Sequence, residues 1–305
     1  MEKATKIELI AEMHPGGAVY QVIDELDGNF LLGLGLWDRA NEEHIPKVKD
    51  STKGQVVRIN KDNKVIAKSP ELSNIIYQLM PVDDNKIFVG CRSGELVYLN
   101  KDLSLKNRIN FDSTGLYFWL RDQDVLVATM RTGSVLFFDL NTEQADIVQV
   151  VDPNIRMWPI LKDGEKYITG SYRGHLAMLE GRDVTKMVDV GNASIWTIDE
   201  FMNRYLVGTA KGELFSYDKD LVTKDLFYKN HTSISSTAIL NESQMMFGDL
   251  EGNLHILNSD GSSIHYQHSF PEKKKNTIWW ITPEHEKQQA RVAYSNGQVR
   301  TFKLR

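Results

Sequence analysis

The sequence predicts an all-β protein, a seven-bladed β-propeller of four-stranded antiparallel blades, as a single domain over residues 1–305. Three observations predict it. A strand–turn–Gly–strand unit recurs seven times at a near-constant period. Each unit is flanked by two further short alternating segments. The last unit lacks its fourth strand, and a spare one stands at the other end of the chain.

The unit reads KIFVGCRSGELVYLN, VLVATMRTGSVLFFDL, KYITGSYRGHLAMLE, RYLVGTAKGELFSYD, QMMFGDLEGNLHILN and ARVAYSNGQVRTFKL, with an interrupted first copy, FLLGLGLW and KGQVVRIN. Its glycines are Gly54, Gly94, Gly133, Gly174, Gly212, Gly252 and Gly297, spaced by 40, 39, 41, 38, 40 and 45 residues, which is the length of one propeller blade. Each is expected in a tight hairpin turn at positive φ, which glycine adopts without a clash.

Upstream of each unit runs an innermost strand with an aromatic residue and, two residues on, an aliphatic one: Tyr20 and Val22, Tyr77 and Leu79, Phe118 and Leu120, Trp158 and Ile160, Trp196 and Ile198, Trp279 and Ile281. Blade six departs from this with Thr237 and Ile239. Downstream come polar turns and fourth strands such as LKNRINF, DIVQVV and TKMVDV. Residues 6–12, KIELIAE, alternate like those fourth strands and are expected to pair with the C-terminal TFKLR, closing the ring and covering two strand edges.

These repeats resemble those of WD-repeat and quinoprotein-like propellers. FVGCRSGELVYLNKD and YLVGTAKGELFSYDKD are similar to the quinoprotein pattern, and VATMRTGSVLFFDLNTEQ to WD repeats. The resemblance is divergent: the Gly-His dipeptides and Trp-Asp strand ends of WD repeats are missing, with Phe138-Asp139 and Tyr217-Asp218 in the place of the latter. Trp37-Asp38 follows a second strand instead of a third and is read as a decoy.

Composition narrows the function classes. A hydrophobic fraction of 41% with 25% charged residues describes a folded chain, and a net charge of −5 gives no general attraction to nucleic acid or anionic lipid. No segment reads as a secretory signal or membrane span, and the one cysteine, Cys91, has no internal partner, so a cytoplasmic chain is expected. Neither a nucleic acid nor a membrane is expected as partner.

No catalytic set and no cofactor or metal site emerges. The eight histidines are scattered, and the inner-strand positions where propeller hydrolases gather calcium ligands read Asn74, Ser194, Ser235 and Asn276. Asp112 or Asp152 could supply a carboxylate there from a linking loop. Cys91 beside Arg92 has a neighbour that could lower a thiol pKa but no local histidine, and reads as structural.

Binding residues are sought on the rim that carries the turns between second and third strands together with the links between blades, here called the top. It holds Arg92, Arg131, Tyr172, Arg173 and Lys211, with Asp249 and Glu251 as acidic exceptions. An insertion at 37–53 in blade one brings Trp37 to the same rim, and Arg156 stands before the inner strand of blade four, where it would attract an anion or a carboxylate-bearing peptide. Most inner-strand aromatics are expected to pack between blades. The expected function is a noncatalytic protein- or peptide-binding scaffold, monomeric by itself, that uses the top rim. The alternative is an enzyme or small-molecule sensor whose ligand sits in the axial channel against Arg156 and inner-strand polar groups.

Overall fold

The computed structural model describes residues 4–25, 27–36, 53–83, 85–111, 115–266 and 276–305. Its strands form seven four-stranded antiparallel sheets. Blade one holds β2 (Gly17–Asp24), β3 (Phe30–Leu36), β4 (Gly54–Ile59) and β5 (Val65–Lys68), after the isolated first strand β1 (Ile7–Met13). Blade two holds β6 (Ile76–Asp83), β7 (Lys86–Cys91), β8 (Glu95–Asn100) and β9 (Leu105–Asn110). Blade three holds β10 (Leu116–Asp122), β11 (Val125–Met130), β12 (Ser134–Asp139) and β13 (Ala145–Gln149). Blade four holds β14 (Met157–Asp163), β15 (Lys166–Ser171), β16 (His175–Glu180) and β17 (Asp183–Asp189). Blade five holds β18 (Ile195–Phe201), β19 (Arg204–Thr209), β20 (Glu213–Tyr217) and β21 (Lys224–Lys229). Blade six holds β22 (Ile234–Asn241), β23 (Gln244–Asp249), β24 (Leu254–Asn258) and β25 (Ser263–Tyr266). Blade seven combines β26 (Ile278–Glu284), β27 (Gln289–Tyr294) and β28 (Val299–Leu304) with β1.

The two ends close the ring as the sequence predicts: Ile7 pairs with Leu304 and Met13 with Val299. Gln244 of blade six adds a clasp, accepting from the backbone N–H of Ala4 at 2.6 Å and donating to its carbonyl at 2.7 Å.

Burial follows the position of a strand in its blade. Middle strands are covered on both faces by neighbouring blades, so β7, β11 and β23 are almost entirely buried and read as continuous apolar runs. Outer strands such as β9 and β17 stay largely in water. Blades pack closely because strand two presents a glycine to the first residue of the next inner strand. A Cβ on Gly33, Gly170 or Gly248 would lie 2.9, 2.5 or 2.4 Å from Ile76, Ile195 or Ile278.

Six of the seven anchoring glycines have the expected positive φ: Gly94, Gly133, Gly174, Gly212, Gly252 and Gly297. Gly54 does not. The interrupted first unit has no tight turn there, and Gly54 opens β4 instead, where a Cβ would meet the Asn74 carbonyl oxygen at 2.2 Å. It is glycine for want of space.

Candidate functional site

Every innermost strand carries a β-bulge near its top end. The extra residue is Tyr20, Tyr77, Trp196, Ser235 and Trp279 in blades one, two, five, six and seven. In blades three and four it falls within Tyr117–Phe118 and Trp158–Pro159. A bulge interrupts the two-residue alternation of a strand and re-aims the side chain at that point. The backbone groups it displaces are taken up across the blade boundary: Gln78 donates to the Trp119 carbonyl at 2.8 Å and accepts from its N–H, and the Thr129 hydroxyl donates to the Trp158 carbonyl at 2.8 Å.

The re-aimed rings meet around the axis. Tyr20, Tyr77, Trp158, Trp196 and Trp279 form a closed cycle with successive centroid distances of 5.5, 5.7, 6.1, 6.0 and 5.8 Å. Tyr117 packs on Trp158 at 4.8 Å. This collar corrects the expectation that most inner aromatics pack between blades. Trp119 does so, with its ring against Gly90 of blade two, whereas Tyr77, Trp158, Trp196, Trp279 and Trp280 turn into the channel because of the bulges.

Above the collar, on the top rim, the residue following strand two is pinned by its N–H to the segment leading into the same blade's inner strand: Arg92 to Ile75, Arg131 to Gly115, Tyr172 to Arg156. Ala210, Leu250 and Ser295 hold the same position in blades five to seven. Among the described residues, long basic and aromatic side chains at this position are therefore confined to blades two to four. Burial pushes the Tyr77 hydroxyl up to about 12 against the opposing pull of Arg92, Arg156 and Arg131, so three guanidinium groups bear on one phenol. The Tyr172 hydroxyl is likewise raised by burial and opposed by Arg156 and Arg92, and the Arg156 guanidinium lies 5.8 Å from the Tyr172 ring centre. None of these three arginines makes an ion pair among the described residues.

The other rim candidates stand apart. Arg173 and Lys211 are exposed one residue further into their turns, and Lys211 donates to the Gly191 carbonyl at 3.3 Å. Asp249 is fully buried and accepts from the N–H groups of Glu251 and Asn253, so it shapes its own turn. Trp37, residues 38–52 of the 37–53 insertion and Asp112 lie outside the described residues, whereas Lys53 at the insertion's end donates to Glu71 at 2.6 Å.

Below the collar lies a feature that sequence reasoning missed, a cavity of about 240 Å³ lined by inner strands of blades two to seven. Trp196 and Trp279 bound it on the collar side, Phe118 and Trp280 stack across the channel at 5.9 Å, and Asp199 is its only ionisable lining residue. Arg156 is not in its wall. Arg156 and the inner-strand polar groups, expected together in one axial site, thus occupy opposite sides of the collar. Asp199 had a signal in the sequence: three residues past the bulge the other inner strands read Ile23, Met80, Leu120, Leu161, Ala238 and Thr282.

Cys91 is fully buried, and burial pushes its thiol up to about 12, the reverse of nucleophile activation. Among the described residues no three His, Cys, Asp or Glu side chains converge as metal ligands, and no helix is long and apolar enough to cross a membrane.

No family model and no curated protein sequence matches the chain. Solved structures do. The β-propeller domain of Cps50 (Swd1) from Myceliophteria thermophila superposes with a TM-score of 0.74 at 12% identity, covering 98% of this chain and 100% of that one. The computationally designed Ika8 protein superposes with a TM-score of 0.67 at 10% identity, again over 98% and 100%. At such identities the likeness establishes the fold alone.

Proposed function

We propose that the chain is a noncatalytic binding propeller that captures a protein partner by an acidic segment laid on the top rim over blades two to four. The observation that carries this reading is the convergence of Arg92, Arg131 and Arg156 on the tyrosines at the channel mouth without a carboxylate among the described residues to pair them. Arg92 and Arg156 are half-buried, Arg156 against the Tyr172 ring, and Arg131 is exposed; guanidinium groups so placed bind carboxylates through paired, charge-assisted hydrogen bonds. Tyr172 and Tyr77 supply a rigid apolar floor beside them. Arg173, Lys211 and Trp37 extend the surface outward in this reading, as rim contacts that govern capture rate more than final affinity. The protein acts as a cytoplasmic monomer.

Fluorescence anisotropy with a labelled hexaglutamate peptide tests it. Binding should weaken as salt is raised, because the contacts are ionic. It should fall by roughly tenfold or more in the triple variant Arg92→Ala, Arg131→Ala, Arg156→Ala, with the thermal transition retained. Equal affinity of wild type and triple variant overturns the reading. Deletion of residues 38–53 measures the share of the insertion.

A further inference from the structure

We infer that the cavity below the collar is a second binding site, independent of the top rim, for the head group of an organic cation: a guanidinium or alkylammonium. Size, charge and wall chemistry agree on this. At about 240 Å³ the cavity is smaller than the roughly 300–1,000 Å³ of sites that enclose drug-sized ligands, and suits one side-chain-sized group. Among the described residues its wall holds no lysine, arginine or histidine, so the negative charge of Asp199 has no counter-charge among them.

Among the described residues Asp199 also has no ion pair, and its one side-chain partner there is the Thr237 hydroxyl, which donates to Oδ2. That bond fixes the carboxylate while leaving Oδ1 for a ligand. An enclosed carboxylate without a cation is costly, and burial accordingly raises its pKa to about 6. A bound cation removes that cost.

The remaining wall supplies the other half of cation recognition. Phe118, Trp196, Trp279 and Trp280 surround the space in two stacked pairs, 25° and 19° from parallel, and aromatic rings attract cations through their electron-rich faces. An anion would meet a carboxylate here, and a neutral apolar ligand would leave Asp199 unpaired. Along β18, at about 3.3 Å per residue, Asp199 lies roughly 10 Å beyond Trp196 toward the far rim. A cation entering from that rim thus meets the carboxylate first and the rings behind it.

Two sources can supply this chemistry, a free amine or an Arg or Lys side chain of another protein. Titration calorimetry of the full chain uses agmatine, the peptide acetyl-Gly-Arg-Gly-amide and, as neutral control, isoamyl alcohol. Both cations should bind and the alcohol should not. Tighter binding of the peptide assigns the site to a protein side chain, tighter or equal binding of agmatine to a free amine. Asp199→Asn, which preserves shape and the bond from Thr237, should weaken cation binding by roughly tenfold or more. Trp280→Leu, which leaves the carboxylate in place, should weaken it as well, so the inference can be tested even if one variant misfolds. Absence of cation binding at millimolar concentration, or unchanged affinity in both variants, overturns it. The top-rim triple variant should bind agmatine like the wild type, which separates failure here from failure of the acidic-peptide reading.

Discussion

Trp196 and Trp279 stack with their ring centres 6.0 Å apart and their planes 19° from parallel, although the inner strand of blade six stands between theirs. They meet because blade six places Ser235 at its bulge. The serine hydroxyl donates to the Ile278 carbonyl at 2.7 Å, with the Gly248 carbonyl 3.1 Å away sharing the same proton, and so ties the bulge to blade seven. Ser235→Ala should cost about 1–2 kcal/mol in urea denaturation, because buried carbonyls lose their donor. Ser235→Phe, which adds a ring where two already touch, should cost about 1–3 kcal/mol.

A second relationship repeats on the far rim. Tyr205 of blade five donates to Asp163 of blade four at 2.6 Å, and Lys219 donates to the same oxygen at 2.8 Å; one blade earlier Tyr167 and Lys162 likewise both donate to Asp122, each to its own carboxylate oxygen. Tyr205→Phe should lower stability by about 1.5–3 kcal/mol at neutral pH, the range for hydrogen bonds to charged groups. The bonds from Lys219 and Tyr205 hold Asp163 below its ordinary pKa of 3.8. Its contribution is therefore complete above that value and lost as pH falls through the depressed one. Wild type and variant should converge in acid unfolding as pH falls below the ordinary 3.8 and through the depressed value.

Asp199 titrates in the opposite sense. Its folded pKa, about 6, lies above the ordinary 3.8, so the folded state holds a proton that the unfolded state has released, and stability falls as pH rises from about 4 to beyond 6. Asp199→Asn removes that slope. The variant should match wild type near pH 4 and exceed it by about 1–3 kcal/mol at pH 7.5 in denaturant titrations without added cation.

On the paired strands of blade six, His255 and His265 place their Nδ1 atoms 2.5 Å apart, and the other nitrogen of His255 lies 3.3 Å from buried Asp249. One Nδ1 must donate and the other accept, so protonating both sets two N–H groups against each other. Burial, then the charge of His255 and of His231, lowers the pKa of His265 below its ordinary 6.5. Stability from His265 is complete above its ordinary 6.5 and declines as pH falls from there toward the lowered value, because the unfolded chain takes up a proton that the folded state does not. His265→Gln should flatten the loss between pH 6.5 and 5, measured by thermal melts across that range.

The ring was legible because blade repetition writes itself into hairpin glycines: Gly94 to Gly297 mark six turns, and KIELIAE alternates visibly as the closing strand. The collar was not legible. A bulge adds one unpaired residue with no composition of its own, yet it reverses which side of the strand every later residue faces. Tyr77 and Trp119 look alike as inner-strand aromatics, and only the register sends one to the axis and the other between blades. Arg92, Arg131, Arg156 and Tyr172 could be singled out from turn position. Their bearing on a common hydroxyl depends on side-chain reach across three blades, which spacing does not encode. For Asp199 the sequence offered one signal, an acid where the other inner strands carry aliphatic residues, methionine or threonine, but its facing depends on the bulge at Trp196.

The closure of blade seven bears on how the chain reaches this structure. Thr5 donates its hydroxyl to the carbonyl of Arg305, 300 residues away, while the hairpins of every other blade join neighbours in sequence. Local hairpins carry little loop entropy and form early; the seam requires both ends to find each other after the rest is in place, and sets a late, slow step. Until it zips, β28 and the outer edge of blade six lie open to another copy of the chain, and exchange of β1 between two molecules would satisfy both rings at once. Refolding at high concentration should therefore yield swapped dimers, whereas refolding at high dilution should yield the closed monomer.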